Sequence, residues 1–112
     1  AAEDQKLLAS IIFCEAGNQP YEGKLGVGAV VMNRVRSGSY PGSISGVINA
    51  PSQFPPATNG KVAAVIANGP SASCVEAAQA AIDGATNVGG ATHFRAASSG
   101  QAGVVIGNHV FW

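Results

Sequence analysis

The chain has 112 residues, with six basic and six acidic side chains and a formal net charge of zero. This length fits a single domain with a modest core. The few, dispersed charges exclude electrostatic capture of nucleic acid or of an acidic membrane. The polar surface must come largely from Ser, Asn, Gln and Thr, and such a surface suits uncharged, hydrogen-bonding ligands.

No run of about 18 apolar residues is present, so the sequence predicts no transmembrane helix. It also lacks the basic, apolar and small-residue pattern of a signal peptide. The opening AAEDQ is typical of a domain trimmed from a longer protein.

The first part of the chain predicts two long helices. The first should run from about Glu3 to Ala16, because acidic residues favour a helix N-terminus and Gly17 suits the C-terminal end. The second should cover Tyr21 to Arg36, since Pro20 suits a first turn and Gly38 ends the pattern.

Shorter elements are predicted in the middle of the chain. Ser43 can cap a short helix from Ile44 to Asn49. The prolines of the following segment, SQFPPATNG, predict an irregular loop with Gln53 and Phe54 in its middle. Lys61 to Asn68 has the apolar spacing of a further short helix.

The last predicted helix begins at a capping box. Ser73 and Glu76 have the required spacing, and the helical pattern continues to about Asp83.

The remaining residues change from helical to extended periodicity. Three segments are predicted as strands, with Gly107-Asn108 as a kink or bulge between the last two: Ala91 to Arg95, Val104 to Ile106 and His109 to Phe111. The expected fold is therefore α+β, mostly helical, with a small antiparallel sheet in the C-terminal part and one domain over residues 1–112.

Glu15 lies on the apolar face of the first predicted helix. Leu8, Ile11 and Ile12 share this face, because residues three, four and seven apart lie on one side of a helix. A carboxyl group there would be desolvated, which raises its pKa and favours the protonated form. Such a group suits general-acid chemistry on a glycosidic bond. The alternative is that Glu15 turns outward into water or pairs with an arginine.

The other acidic residues have structural explanations at helix ends or on the surface: Glu3, Asp4, Glu22, Glu76 and Asp83. Since no obvious second acid accompanies Glu15, two-carboxylate hydrolysis is disfavoured. One acid is enough when the substrate supplies its own nucleophile, as the 6-hydroxyl of muramic acid does when it attacks its own anomeric carbon.

The two cysteines, Cys14 and Cys74, favour a disulfide in an oxidising compartment, with two buried free thiols as the alternative. A metal site is not predicted, because neither the cysteines nor His93 and His109 have a zinc-binding spacing. A Cys/His amidase is conceivable, but no motif supports it and a disulfide would exclude it.

Three segments resemble the spore cortex-lytic cell wall hydrolases (SleB/CwlJ type). They are E-A-x-x-x-P-Y-E-G from Glu15, A-V-V-M-N-R-V from Ala29 and G-N-H-V-F from Gly107. With the intervening QF and NVGGATHFR, the resemblance extends from about Leu7 to Trp112.

This resemblance implies a lysozyme-like fold and cleavage of peptidoglycan between N-acetylmuramic acid and N-acetylglucosamine. It implies that Glu15 is the catalytic acid. The expected substrate-binding residues near the glycan cleft are Tyr21, Gln53, Phe54, His93, Phe94, Asn108 and His109. Alternatively, Tyr21 staples the second helix, the histidines and Asn108 are structural, and the aromatic residues belong to the core.

One departure from the family pattern concerns a second acid. Family members often read A-E-A-R-G-E-P where this chain has Gln19 before Pro20 and lacks the arginine. This replacement leaves Glu15 intact but puts any role of the second acid in doubt.

The sequence therefore predicts a lytic transglycosylase. The alternatives are a water-using muramidase, a non-catalytic peptidoglycan-binding domain and a Cys/His amidase. We expect a monomer that acts on the peptidoglycan glycan strand outside the cytoplasm, in cell wall or spore cortex. No cofactor, metal, nucleic acid or membrane insertion is expected.

Overall fold

The structure is a computed structural model that describes residues 2–50, 54 and 60–112. The helices of this part of the chain are α1 (Ala2–Ala16), α2 (Tyr21–Ser37), α3 (Ile44–Ile48), α4 (Lys61–Asn68) and α5 (Ala72–Ile82). The strands are β1 (Phe94–Ala96), β2 (Val104–Ile106) and β3 (His109–Phe111), with a 3₁₀ turn at Ala97–Ser99. The predicted α+β class, helical with a small antiparallel sheet, is confirmed.

Helices α1 and α2 end where the sequence predicts, to within one residue. Leu8, Ile11 and Ile12 of α1 are fully buried. Pro20 occupies the N-cap of α2, and Gly38 ends it with a φ of 79°, a left-handed conformation that glycine adopts without a steric penalty.

Two glycines allow α2 to pack at the centre of the fold. A Cβ atom on Gly26 would lie 2.7 Å from the Phe111 ring, and one on Gly28 would lie 3.0 Å from Ala81. Glycine costs up to about 1 kcal/mol of helix propensity relative to alanine. Here the absence of side chains at Gly26 and Gly28 allows α2 to contact both β3 and α5 closely.

The short helix α3 has the predicted cap, since the Ser43 hydroxyl accepts a hydrogen bond from the Gly46 amide at 3.0 Å. Helix α4 follows Gly60, which has a φ of 88°. The predicted loop before it lies outside the described residues, apart from Phe54 and Gly60.

The capping box predicted for α5 is wrong. The helix begins earlier, at Ala72, and the Ser71 carbonyl accepts its first backbone bond from Val75 at 3.1 Å. The Ser73 hydroxyl lies inside the helix and accepts a hydrogen bond from Lys24 Nζ at 2.7 Å. Glu76 is consequently an exposed mid-helix residue and not a first-turn acid.

The sheet has the order β1-β3-β2, and both pairs are antiparallel. The strand predicted from Ala91 to Arg95 begins only at Phe94. The amides of Thr92 and His93 both donate to the Trp112 carbonyl, at 3.0 and 2.9 Å, and the Trp112 amide donates back to the His93 carbonyl at 3.0 Å. Thr92 therefore shares an acceptor that already pairs with His93.

Gly107-Asn108 is also different from the prediction. The pair forms the two-residue turn of the β2–β3 hairpin, and not a bulge, because the strands on either side pair with each other from Ile106 and His109 onward. Gly107 has a φ of 56°, as tight hairpin turns require.

Within the described part of the chain, no helix is long and apolar enough to cross a membrane.

Candidate active site

A cleft of about 260 Å³ opens between the end of α1 and the sheet. Its lining comes from two helices, from Phe54 and from strands β1 and β3: Glu15, Arg34, Phe54, Phe94, Arg95, Ala96 and His109. The chain therefore brings together side chains as far apart in sequence as Glu15 and His109.

Glu15 lies in the last turn of α1, on the face that buries Leu8, Ile11 and Ile12. The side chain is half-buried and borders the cleft. Burial raises the pKa of Glu15, and the positive charge of Lys61 partly opposes this rise. The protonated carboxyl group therefore persists to higher pH than in an exposed glutamate.

Arg34 forms a wall of the cleft from the middle of the fold, with only 6% of its surface exposed. Its Nε donates a hydrogen bond to the Thr92 carbonyl at 2.7 Å. The guanidinium lies over the rings of Tyr40 and Phe54, at 5.0 and 5.4 Å. Burial lowers the pKa of Arg34, although its ordinary value is so high that it stays charged near neutral pH.

Sequence reasoning did not select Arg34 as a site residue. The signal was present, because Arg34 follows Val27 and Val30 by seven and four positions on the buried face of α2. A charged residue on an apolar helix face indicates a candidate site residue, and this reasoning applies to Arg34 on α2 as it does to Glu15 on α1.

Aromatic rings form another part of the cleft wall. Phe94 is the centre of this group, with ring-centre distances of 6.3 Å to Phe54, 6.0 Å to Phe111 and 5.7 Å to His109. Phe54 and Phe111 are nearly or fully buried, so they support the wall from the core.

His109 contributes a neutral polar edge. Its Nδ1 atom is buried and has no hydrogen-bond partner among the described residues, and burial lowers the pKa of the ring. The ring is therefore uncharged at neutral pH.

Three of the other predicted binding residues, Tyr21, His93 and Asn108, are not among the described residues that line this cleft. Tyr21 is 38% exposed at the start of α2. His93 stacks on Trp112 with ring centres 5.4 Å apart, and Trp112 also contacts the guanidinium of Arg95. Asn108 is exposed in the hairpin turn. Gln53 lies outside the described residues.

The predicted disulfide is not formed, because both cysteines are free thiols. Cys74 is fully buried in the core, and Cys14 packs partly buried against that core, so each acts as a small apolar side chain. Burial raises the pKa of the Cys14 thiol, and the negative charge of the neighbouring Glu15 raises it further. A thiol held protonated is a poor nucleophile, which disfavours the Cys/His amidase.

Of the described residues that line the cleft, only Glu15 carries a carboxyl group. Three acids lie in the first turns of helices, Glu3 and Asp4 in α1 and Glu22 in α2. No group of three or more His, Cys, Asp or Glu suited to a metal ion occurs within residues 2–50, 54 and 60–112. The chemistry that the lining itself offers is that of one acid with a raised pKa.

The sequence matches the family model of the cell wall hydrolases over residues 18–112. A spore cortex-lytic enzyme of Halalkalibacterium halodurans is 30% identical over 96% of this chain and 34% of its own length. The spore cortex-lytic enzyme of Bacillus subtilis is 39% identical over 53% of this chain and 19% of its own length. The chain thus spans about a third or less of these relatives.

Two solved structures share the fold. The catalytic domain of the Bacillus cereus SleB protein superposes with a TM-score of 0.84 at 30% identity, covering 99% of this chain and 90% of that one. The catalytic domain of the germination-specific lytic transglycosylase SleB from Bacillus anthracis gives a TM-score of 0.86 at 28% identity, covering 99% and 94%.

Proposed function

The chain belongs to the cell wall hydrolase family, and we propose that it cleaves the peptidoglycan glycan strand between N-acetylmuramic acid and N-acetylglucosamine. We assign the reaction as that of a lytic transglycosylase with Glu15 as acid and base. The observation that carries this proposal is a single half-buried carboxyl group with a raised pKa in a cleft walled by aromatic rings.

The reaction begins with Glu15 protonated. Its proton passes to the glycosidic oxygen, and the bond between that oxygen and C1 of N-acetylmuramic acid breaks. The 6-hydroxyl of the same sugar attacks C1, and the Glu15 carboxylate accepts the hydroxyl proton. The product ends in a 1,6-anhydro ring, no water is consumed, and Glu15 regains its starting protonation state.

The aromatic part of the lining suits the apolar face of a sugar ring. Phe94 and the supporting Phe54 offer apolar area that a sugar ring can cover. The uncharged ring of His109 adds hydrogen-bonding capacity without a second titrating carboxyl group. This arrangement favours one-acid catalysis over the two-carboxylate mechanism.

The names of similar proteins agree with this assignment. The Bacillus anthracis neighbour is described as a lytic transglycosylase, and the curated relatives as spore cortex-lytic enzymes. We infer a site of action outside the cytoplasm, in cell wall or spore cortex, because peptidoglycan is located there.

Mass spectrometry of digested peptidoglycan tests the proposal. The expected products carry 1,6-anhydromuramic ends. Reducing muramic ends would show that water is the nucleophile and overturn the transglycosylase assignment. Released stem peptides would indicate an amidase, and binding to sacculi without any product would indicate a non-catalytic wall-binding domain.

A further inference from the structure

Gln19 is a buried polar residue between α1 and α2, with only 8% of its surface exposed. Its Oε1 accepts a hydrogen bond from the backbone amide of Asn108 at 3.0 Å. Its Nε2 donates to the Asn18 side chain at 3.1 Å. Both ends of the Gln19 amide are therefore engaged.

The side chain of Gln19 fills a space formed by two glycines. A Cβ atom on Gly107 would lie 2.5 Å from Oε1 of Gln19, and one on Gly23 would lie 3.1 Å from its Cβ. Only glycine at position 107 permits this approach, because 2.5 Å is far below van der Waals contact. The β2–β3 hairpin turn and the side-chain amide of Gln19 are therefore in close contact.

The contact joins the two sides of the cleft. On one side, the Gln19 backbone amide donates to the Ala16 carbonyl at 3.0 Å, directly after Glu15 in the last turn of α1. On the other side, Asn108 precedes His109, which borders the cleft from β3. The bond between Gln19 and Asn108 therefore links the segment that carries the acid to the strand that carries the opposing ring.

We propose that Gln19 is a positioning residue that sets the distance of Glu15 from His109 across the cleft. The inference rests on the proposed function of Glu15. The contact that Gln19 makes with the Asn108 amide requires an acceptor oxygen but no charge. Small errors in the placement of a catalytic group reduce turnover strongly, so this contact acts on kcat.

Two substitutions separate the acceptor from the shape of the side chain. Gln19→Met keeps the length but leaves the Asn108 amide unpaired, and should lower kcat about tenfold with KM within about twofold. Gln19→Glu restores the acceptor and should recover most of kcat. The added negative charge should also raise the pKa of Glu15 and move the alkaline limb of the pH profile upward. The other titratable groups around Glu15 are unchanged in both variants: Cys14, Arg34, Lys61 and His109.

Gly107→Ala tests the same contact from the hairpin, and Gly38→Ala is its matched control. Both glycines have positive φ, 56° and 79°, so both substitutions strain the backbone, but no atom of the described residues lies within 4 Å of a Cβ on Gly38. We expect Gly107→Ala to lower kcat as Gln19→Met does. Gly38→Ala should lower the melting temperature and leave kcat unchanged.

Amide hydrogen exchange reports on the contact without any substrate. The Asn108 amide should lose protection in Gln19→Met and keep it in Gln19→Glu. The positioning role is overturned if Gln19→Met keeps wild-type kcat on a glycan fragment, or if Gly38→Ala lowers kcat as much as Gly107→Ala. A wild-type protein that cleaves no glycan would overturn the proposed function instead, and the Asn108 exchange would still decide whether the contact exists in solution.

Discussion

Replacing Glu15 with glutamine should abolish glycan cleavage and leave the fold intact. The amide is nearly isosteric with the carboxyl group but can neither donate an acidic proton to the glycosidic oxygen nor accept the hydroxyl proton. General acid–base catalysis by one side chain contributes on the order of 10²–10⁴-fold. That loss corresponds to about 2.7–5.5 kcal/mol of activation free energy.

The same substitution has a definite effect on stability. Because burial raises the pKa of Glu15 above its ordinary value of about 4.5, the folded state holds the proton of this group more tightly than the unfolded state. Wild-type stability should therefore fall as the pH rises from about 4.5 to the raised pKa, and no further change from this group should occur above it. The uncharged amide of the variant would have no such dependence, so Glu15→Gln should gain stability relative to wild type across this window.

The assays are the loss of turbidity of purified peptidoglycan and the melting temperature at acidic and neutral pH. Glu76→Gln is the matched control, since Glu76 is exposed in the middle of α5 and should affect neither quantity. More than about a tenth of wild-type activity in Glu15→Gln would refute the acid–base role. If Glu15→Gln instead lost stability relative to wild type as the pH rises, the argument that burial raises the pKa of Glu15 would be refuted.

Two further predictions concern packing and charge. Gly26→Ala should destabilise the fold by about 1–2 kcal/mol, because its Cβ would meet the buried Phe111 ring at 2.7 Å while alanine recovers some helix propensity. A Cβ on Gly42 would have no atom of the described residues within 4 Å, so Gly42→Ala should change the free energy of unfolding by less than about 0.5 kcal/mol in denaturant titrations. Equal effects of the two substitutions would contradict the packing argument. Lys61→Gln removes the charge that opposes the rise in the pKa of Glu15, so the alkaline limb of the rate against pH should move upward. An unchanged or lowered limb would exclude Lys61 as a neighbour of the reacting carboxyl group.

Much of the helical part of the fold follows from local sequence. The stripe of Leu8, Ile11 and Ile12 determines the buried face of α1, and four-residue periodicity then places Glu15 on that face. The stop at Gly38 and the cap at Ser43 are equally local, because each depends on one residue and its immediate neighbours.

Predictions failed where contacts between distant residues override local pattern. Ser73 has the spacing of a cap, but Lys24 from α2 engages its hydroxyl and the helix begins before it. The first strand begins at Phe94, later than predicted, and the Thr92 amide shares the Trp112 carbonyl that already pairs with His93. The predicted disulfide is absent, since both cysteines pack as apolar side chains and are free.

The sequence by itself determined that one carboxyl group, Glu15, lies on a buried helix face, because that relation is set within four residues. Only the tertiary structure decided which groups face it. Arg34 reaches the cleft from α2 and His109 from the last strand, brought together by packing around the glycines of α2. The contact of Gln19 was likewise decided by the tertiary structure, because its hydrogen bond to Asn108 spans 89 positions and no local pattern encodes it.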